Sequence, residues 1–382
     1  MTEQKKNLLK RLLSIRIKID RHTPKKILKW FVATAKKPPF VGLIAFLAVF
    51  VVQPLGHIVM ILMEKIPLLL VKLNLIEKTE KTHDYWYSQF YDKAPTIPEG
   101  YENFAGIDNM VYLVPFIMGV VGVAIIMWGA RRNTEVAGTW AGFVGASLLW
   151  TGWVEFSIHF HARYFGVKTL CADGVYAYAC ASKEFVEANP GLNLEYGTAT
   201  KPEYFLMQGS VGFLLAIMLY FTLNKETRCN MFRWMHKHMR IRVGKPSRGL
   251  TRNFSNNVAI ETITILWFFY VYLMFLYDPT LIGETHWFTY FSFGFFGLWS
   301  LYLIQRLLRF KRVTSALRYA IPTAIIFYNM VEIGGRWSWY REFWVHPLEF
   351  PIASILVGGS FIAFAVLSIM TAVNKTKQID QH

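Results

Sequence analysis

The sequence predicts an all-α, polytopic integral membrane protein: a bundle of about eight transmembrane helices with both termini cytoplasmic. Three observations predict it. Hydrophobic residues make up 54% of the 382-residue chain and charged residues 17%, whereas soluble domains carry about a quarter charged residues. Eight apolar runs approach the length of about 20 residues that a membrane-crossing helix needs. Lysine and arginine also alternate, segment by segment, between rich and poor, as the positive-inside rule demands.

The runs lie at 40–63, 110–130, 137–161, 204–223, 256–277, 287–305, 314–333 and 351–373. In lipid only helices and closed barrels satisfy every backbone N–H and C=O. Barrel strands alternate in polarity over about 10 residues, and a run such as FPIASILVGGSFIAFAVLSIM does not alternate. Before the first run, residues 1–39 form a basic cytoplasmic amphipathic segment holding twelve Lys and Arg against Glu3 and Asp20. That stretch shows no signal-peptide pattern, so the first run is expected to stay as a helix. The 40–373 region is the bundle, with outer loops 64–109, 166–203, 278–286 and 334–350, and 374–382 is a cytoplasmic tail.

The charges orient the bundle. Loop 224–253 has nine Lys and Arg against Glu226, and RLLRFKR at 306–312 has four with no acid. Outer loop 64–109 has five against eight acids. The net charge of +16 therefore reads as anchoring to a bilayer with an anionic inner leaflet, and nucleic acid is excluded as a partner. Two basic stretches, 5–19 and 228–245, have the composition of amphipathic helices lying on the inner face. The localisation expected is a cell membrane, the inner one in a Gram-negative cell. Cys171 and Cys180 fall in outer loop 166–203, on the oxidising side, where a disulfide bond is expected. Cys229 falls inside as a thiol.

Ionisable groups within membrane helices are costly and mark functional sites. In WTGWVEFSIHFHARYF, Thr151, Glu155 and His159 recur at i, i+4 and i+8, one α-helical face. Gln53, His57 and Glu64 share a face of the first run, with Pro54 between them to kink it. The turn DPTLIGETH supplies Asp278, Glu284 and His286; the seventh run ends with Asn329 and Glu332; and the loop RWSWYREFWVHPLEF carries Arg336, Arg341, Glu342, His346 and Glu349. The candidate metal ligands are His57, Glu155, His159, Glu332 and His346, and the expected cofactor is copper or iron. Imidazole suits both metals, and two histidines with one carboxylate suit non-haem iron. The same residue types also serve as structural Glu–His pairs or as a proton relay. The acid-then-histidine spacing resembles, as a type of site only, the outer-face site of copper membrane monooxygenases.

Motifs for phosphate binding, dinucleotides, serine hydrolysis, zinc proteolysis and c-type haem are missing. Three functions stay open: a metal-dependent membrane oxidoreductase or hydroxylase, a transporter, and a non-catalytic subunit that anchors or assembles an envelope complex with other membrane subunits. Gly119, Gly142, Gly145 and Ala146 are expected to allow close helix approach.

Overall fold

A computed structural model of the chain describes residues 33–56, 58–59, 63, 73, 110–132, 134–158, 202–225, 230–244, 253–337, 339–340 and 349–379, with five short strands between 169 and 200. In chain order the helices are α1 (Phe40–Phe50), α2 (Met110–Ala130), α3 (Glu135–Leu149), α4 (Pro202–Gly209), α5 (Val211–Leu223), α6 (Asn230–His238), α7 (Phe254–Tyr277), α8 (Trp287–Leu307), α9 (Val313–Arg336) and α10 (Pro351–Ile379). A π-helical segment, Trp150–Glu155, continues α3. The strands β1 (Thr169–Cys171), β2 (Tyr176–Ala177), β3 (Cys180–Ala181), β4 (Glu195–Tyr196) and β5 (Thr198–Thr200) make a β2–β1–β5 sheet and a β3–β4 pair. Cys171 and Cys180 stand in different sheets. Their side chains, and with them the expected disulfide, lie outside the described residues.

Among the described residues five stretches are long and apolar enough to cross a membrane: Leu113–Ala130, Tyr204–Leu223, Phe254–Tyr277, Trp287–Leu307 and Pro351–Ile369. The chain is a multi-pass membrane protein, with five such helices where the sequence suggests eight. The other three runs are not among these five over their described residues. The apolar helix Phe40–Gly56 is short. The 137–161 run turns π-helical after Leu149. α9 is as long as α7 but carries Arg318, Asn329 and Glu332 along its length. Two further details differ from expectation: one turn residue, Ser210, with helical backbone angles, separates α4 from α5 within the 204–223 span, and α10 runs on to Ile379, through most of the expected tail.

Two packed interfaces organise the bundle. In the first, α2, α3 and α7 meet over glycine. A Cβ on Gly145 would sit 2.6 Å from the Gly122 carbonyl oxygen, and one on Gly122 would sit 2.7 Å from that of Gly145. Only glycine permits this approach, the close-contact device of lipid-embedded helices, where dispersion replaces the hydrophobic effect. Ser255 of α7 adds a hydrogen bond, its Oγ donating to the Ile126 carbonyl at 2.8 Å. The second interface joins α1 to α9 through aromatic edges, with Phe46 and Phe50 at 5.4 and 5.5 Å from the Phe327 ring. Between α4 and α5, Ser210 Oγ donates to the Met207 carbonyl at 2.6 Å and accepts from Trp267 Nε1 at 2.8 Å, so this turn residue is tied to α7. The α7–α8 turn needs one glycine for its backbone: Gly283 has φ +92°, a conformation costly for residues with a Cβ.

Candidate functional site

α9 is polar at both ends. Near its start, Arg318 pairs with Glu135 at 2.7 Å and sits over the Phe254 ring at 5.6 Å. This clamps the first turns of α3, α7 and α9 together. Near its finish stands a larger cluster, and here four elements converge.

The π-helical segment supplies Glu155. Its bonding runs from i to i+5, as in Phe156 N–H to the Thr151 carbonyl, and such segments are frequent at functional sites. The wider turn lets the Trp150 side chain hydrogen-bond to the Glu155 carboxylate five residues on. Thr151 is buried and faces the first run: its Oγ1 lies 3.1 Å from where a Cβ on Gly56 would be. The segment also packs on α7, with the Trp150 and Tyr270 rings edge to face at 5.8 Å.

α9 supplies Asn329 and Glu332. The Glu332 carboxylate lies within electrostatic range of Glu155, although the two half-buried residues belong to elements distant in the chain. Asn329 is 2% exposed. Its Nδ2 donates to the Ile325 carbonyl at 2.7 Å, while its Oδ1 has no hydrogen-bond partner among the described residues.

α7 ends at Tyr277, 5% exposed and within electrostatic range of Glu332, Tyr204 and Tyr340. Its hydroxyl is also unpartnered among the described residues. Arg336 covers the Tyr277 ring at 5.3 Å and pairs with Glu284 of the α7–α8 turn at 2.7 Å. Trp337 Nε1 donates to the Glu284 carbonyl at 2.8 Å. The next residue, Asp278, is 1% exposed and fully engaged: it accepts from Gln208 Nε2, Thr280 N–H and Thr280 Oγ1 at 2.9, 2.9 and 2.6 Å. That saturation makes it a structural turn residue.

Of the five candidate ligands, the structure brings Glu155 and Glu332 together. His57, His159 and His346 lie outside the described residues, as do Glu64, His161, Arg341 and Glu342. His286 is an exposed helix cap, its Nδ1 accepting from Phe288 N–H at 3.3 Å, and Glu284 is held by Arg336. Among the described residues no three His, Cys, Asp or Glu converge as a metal-ligand group.

The sequence reading missed Tyr277, Tyr204 and Gln208. Tyr277 closes an apolar run just before Asp278–Pro279, where an aromatic reads as an ordinary interfacial anchor. The unsatisfied hydroxyl that sets it apart exists only once α9 is packed against α7. No family model matches the chain, and no curated protein or solved structure matches it.

Proposed function

We propose that the chain is a metal-dependent membrane oxidoreductase or hydroxylase whose site is built on Glu155 and Glu332. The observation that carries this reading is the pairing of the two carboxylates beside the orphan Tyr277 hydroxyl and Asn329 Oδ1. Two neighbouring carboxylates withdrawn from water repel one another, and a shared cation relieves that cost. The Tyr277 hydroxyl and Asn329 Oδ1, two of the seven buried side-chain atoms without a hydrogen-bond partner among the described residues, offer further oxygens beside Glu332. The metal is copper or iron, with His57, His159 and His346 as the imidazole donors that either metal favours. The cluster takes the extracytoplasmic face when the basic segments 224–253 and 306–312 are placed inside, and this orientation gives eight crossings with both ends in the cytoplasm. Electrons would then come from a quinol or an extracytoplasmic carrier.

Elemental analysis and an absorption spectrum of protein purified gently from native membranes test the proposal. Near-stoichiometric iron or copper, lost in Glu155→Ala and His159→Ala, is the expected result. Metal-free protein would end the reading.

A second reading, a transporter, is favoured by the π-helical segment, since transporter sites use helices with irregular backbone. Flux of protons or cations into proteoliposomes, abolished by Glu332→Gln, would select it.

A further inference from the structure

A separate feature stands at the other end of the bundle. α6 follows α5 after a short connection and is fastened to its end. Phe232 is buried and stacks on Phe221 at 5.4 Å. His236 Nε2 meets the Thr222 carbonyl at 2.6 Å, one of the carbonyls that the end of α5 leaves without a helical partner. α6 is thus fixed at the level where a membrane-crossing helix leaves the lipid.

Its remaining surface is divided. Arg233 and Lys237, one turn apart, are exposed, as are Arg240 and Arg242 just beyond the helix. Between Thr227 and Gly244 there is no acidic residue. Apolar side chains are exposed alongside: Trp234 at 58% and Met239 at 61%. Trp234 stacks on His238 one turn on, at 4.4 Å. Phe232 is the buried apolar residue of α6 among those whose side chains are described, and Trp234 and Met239 are left uncovered. A helix with exposed tryptophan and methionine beside a cationic edge, pinned where a span ends, has the character of an interfacial helix lying in the headgroup plane.

We infer that α6 is an anionic-phospholipid binding element, in which Trp234 and Met239 enter the acyl boundary while Arg233, Lys237, Arg240 and Arg242 hold headgroup phosphates. Bilayer lipid is favoured over a soluble anion by the exposed apolar residues, which a free phosphate would leave in water. The Phe232–Phe221 and His236–Thr222 contacts then transmit headgroup binding to α5, so anionic lipid stabilises the bundle.

The full chain in nanodiscs of phosphatidylcholine, with or without phosphatidylglycerol, tests this by native mass spectrometry and thermal melting. Phosphatidylglycerol should be retained and should raise Tm. Each cation neutralised in Arg233→Gln and Lys237→Gln should weaken retention roughly fivefold, the equivalent of about 1 kcal/mol per basic residue at an anionic surface. These variants should melt like the wild type in phosphatidylcholine alone, which separates lost binding from lost folding. Trp234→Ser should lower retention in the same way. The control Arg131→Gln/Arg132→Gln, a basic turn elsewhere, should leave retention intact. The inference is overturned if phosphatidylglycerol does not raise the wild-type Tm, if the control loses as much as the α6 variants, or if inorganic phosphate reproduces the shift.

Discussion

The two ends of α9 carry comparable polarity to opposite effect. At the Arg318 end each charge has its partner: Glu135 faces Arg318 at 2.7 Å, both side chains about a quarter exposed, and a phenyl ring lies beneath the guanidinium. At the Glu332 end two carboxylates stand near one another, and the Tyr277 hydroxyl and Asn329 Oδ1 lack partners among the described residues. A paired charge near a membrane surface is a fastening. Like charges brought near one another are costly in a membrane protein, and on the proposed reading a cation or proton relieves that cost. The difference lies in the signs of the charges: the Arg318 end joins opposite charges, and the Glu332 end brings like charges near one another.

That contrast is open to attack. The largest effect is expected from Glu155→Gln and Glu332→Gln, which should each lower metal affinity by about a hundredfold or more, the upper range for loss of a metal's supporting groups. Metal titration checks this, with a parallel melt to separate lost binding from lost folding. Next comes Asn329→Leu. With Oδ1 as a ligand, metal affinity should fall roughly tenfold, whereas an idle Oδ1 would leave affinity unchanged. At the other end, Glu135→Ala and Arg318→Ala should each cost stability, with a double-mutant coupling of about 1 kcal/mol, the top of the range for partly exposed pairs. Neither change should alter metal content; if one did, the division between the ends would fail. The smallest effect is expected from Glu284→Gln. Its pair with Arg336 is more than a third exposed on both sides, so unfolding should register about 0.5 kcal/mol or less.

Much of the architecture was legible from local pattern. The 110–130 run is α2 from Met110 to Ala130, and the runs at 256–277 and 287–305 match α7 and α8 within two residues at each end. The small residues Gly142 and Gly145 do lie in a close helix contact. The span count was less legible. Hydropathy alone shows neither the change of bonding after Leu149 nor the turn residue at Ser210, and both places contact α7. Of the site, Glu155 and Glu332 stood out because a carboxylate in an apolar run is rare. Tyr277 and Gln208 did not, because both are ordinary in a helix near a membrane surface.

The sequence by itself determined that the chain enters the lipid repeatedly as helices, and where basic residues gather. These follow from transfer of side chains and backbone out of water, which each segment experiences alone. Tertiary structure decided which polar groups meet. Whether a buried oxygen has a partner depends on residues more than a hundred positions away, as with Glu155 and Glu332, and no single segment encodes that distance.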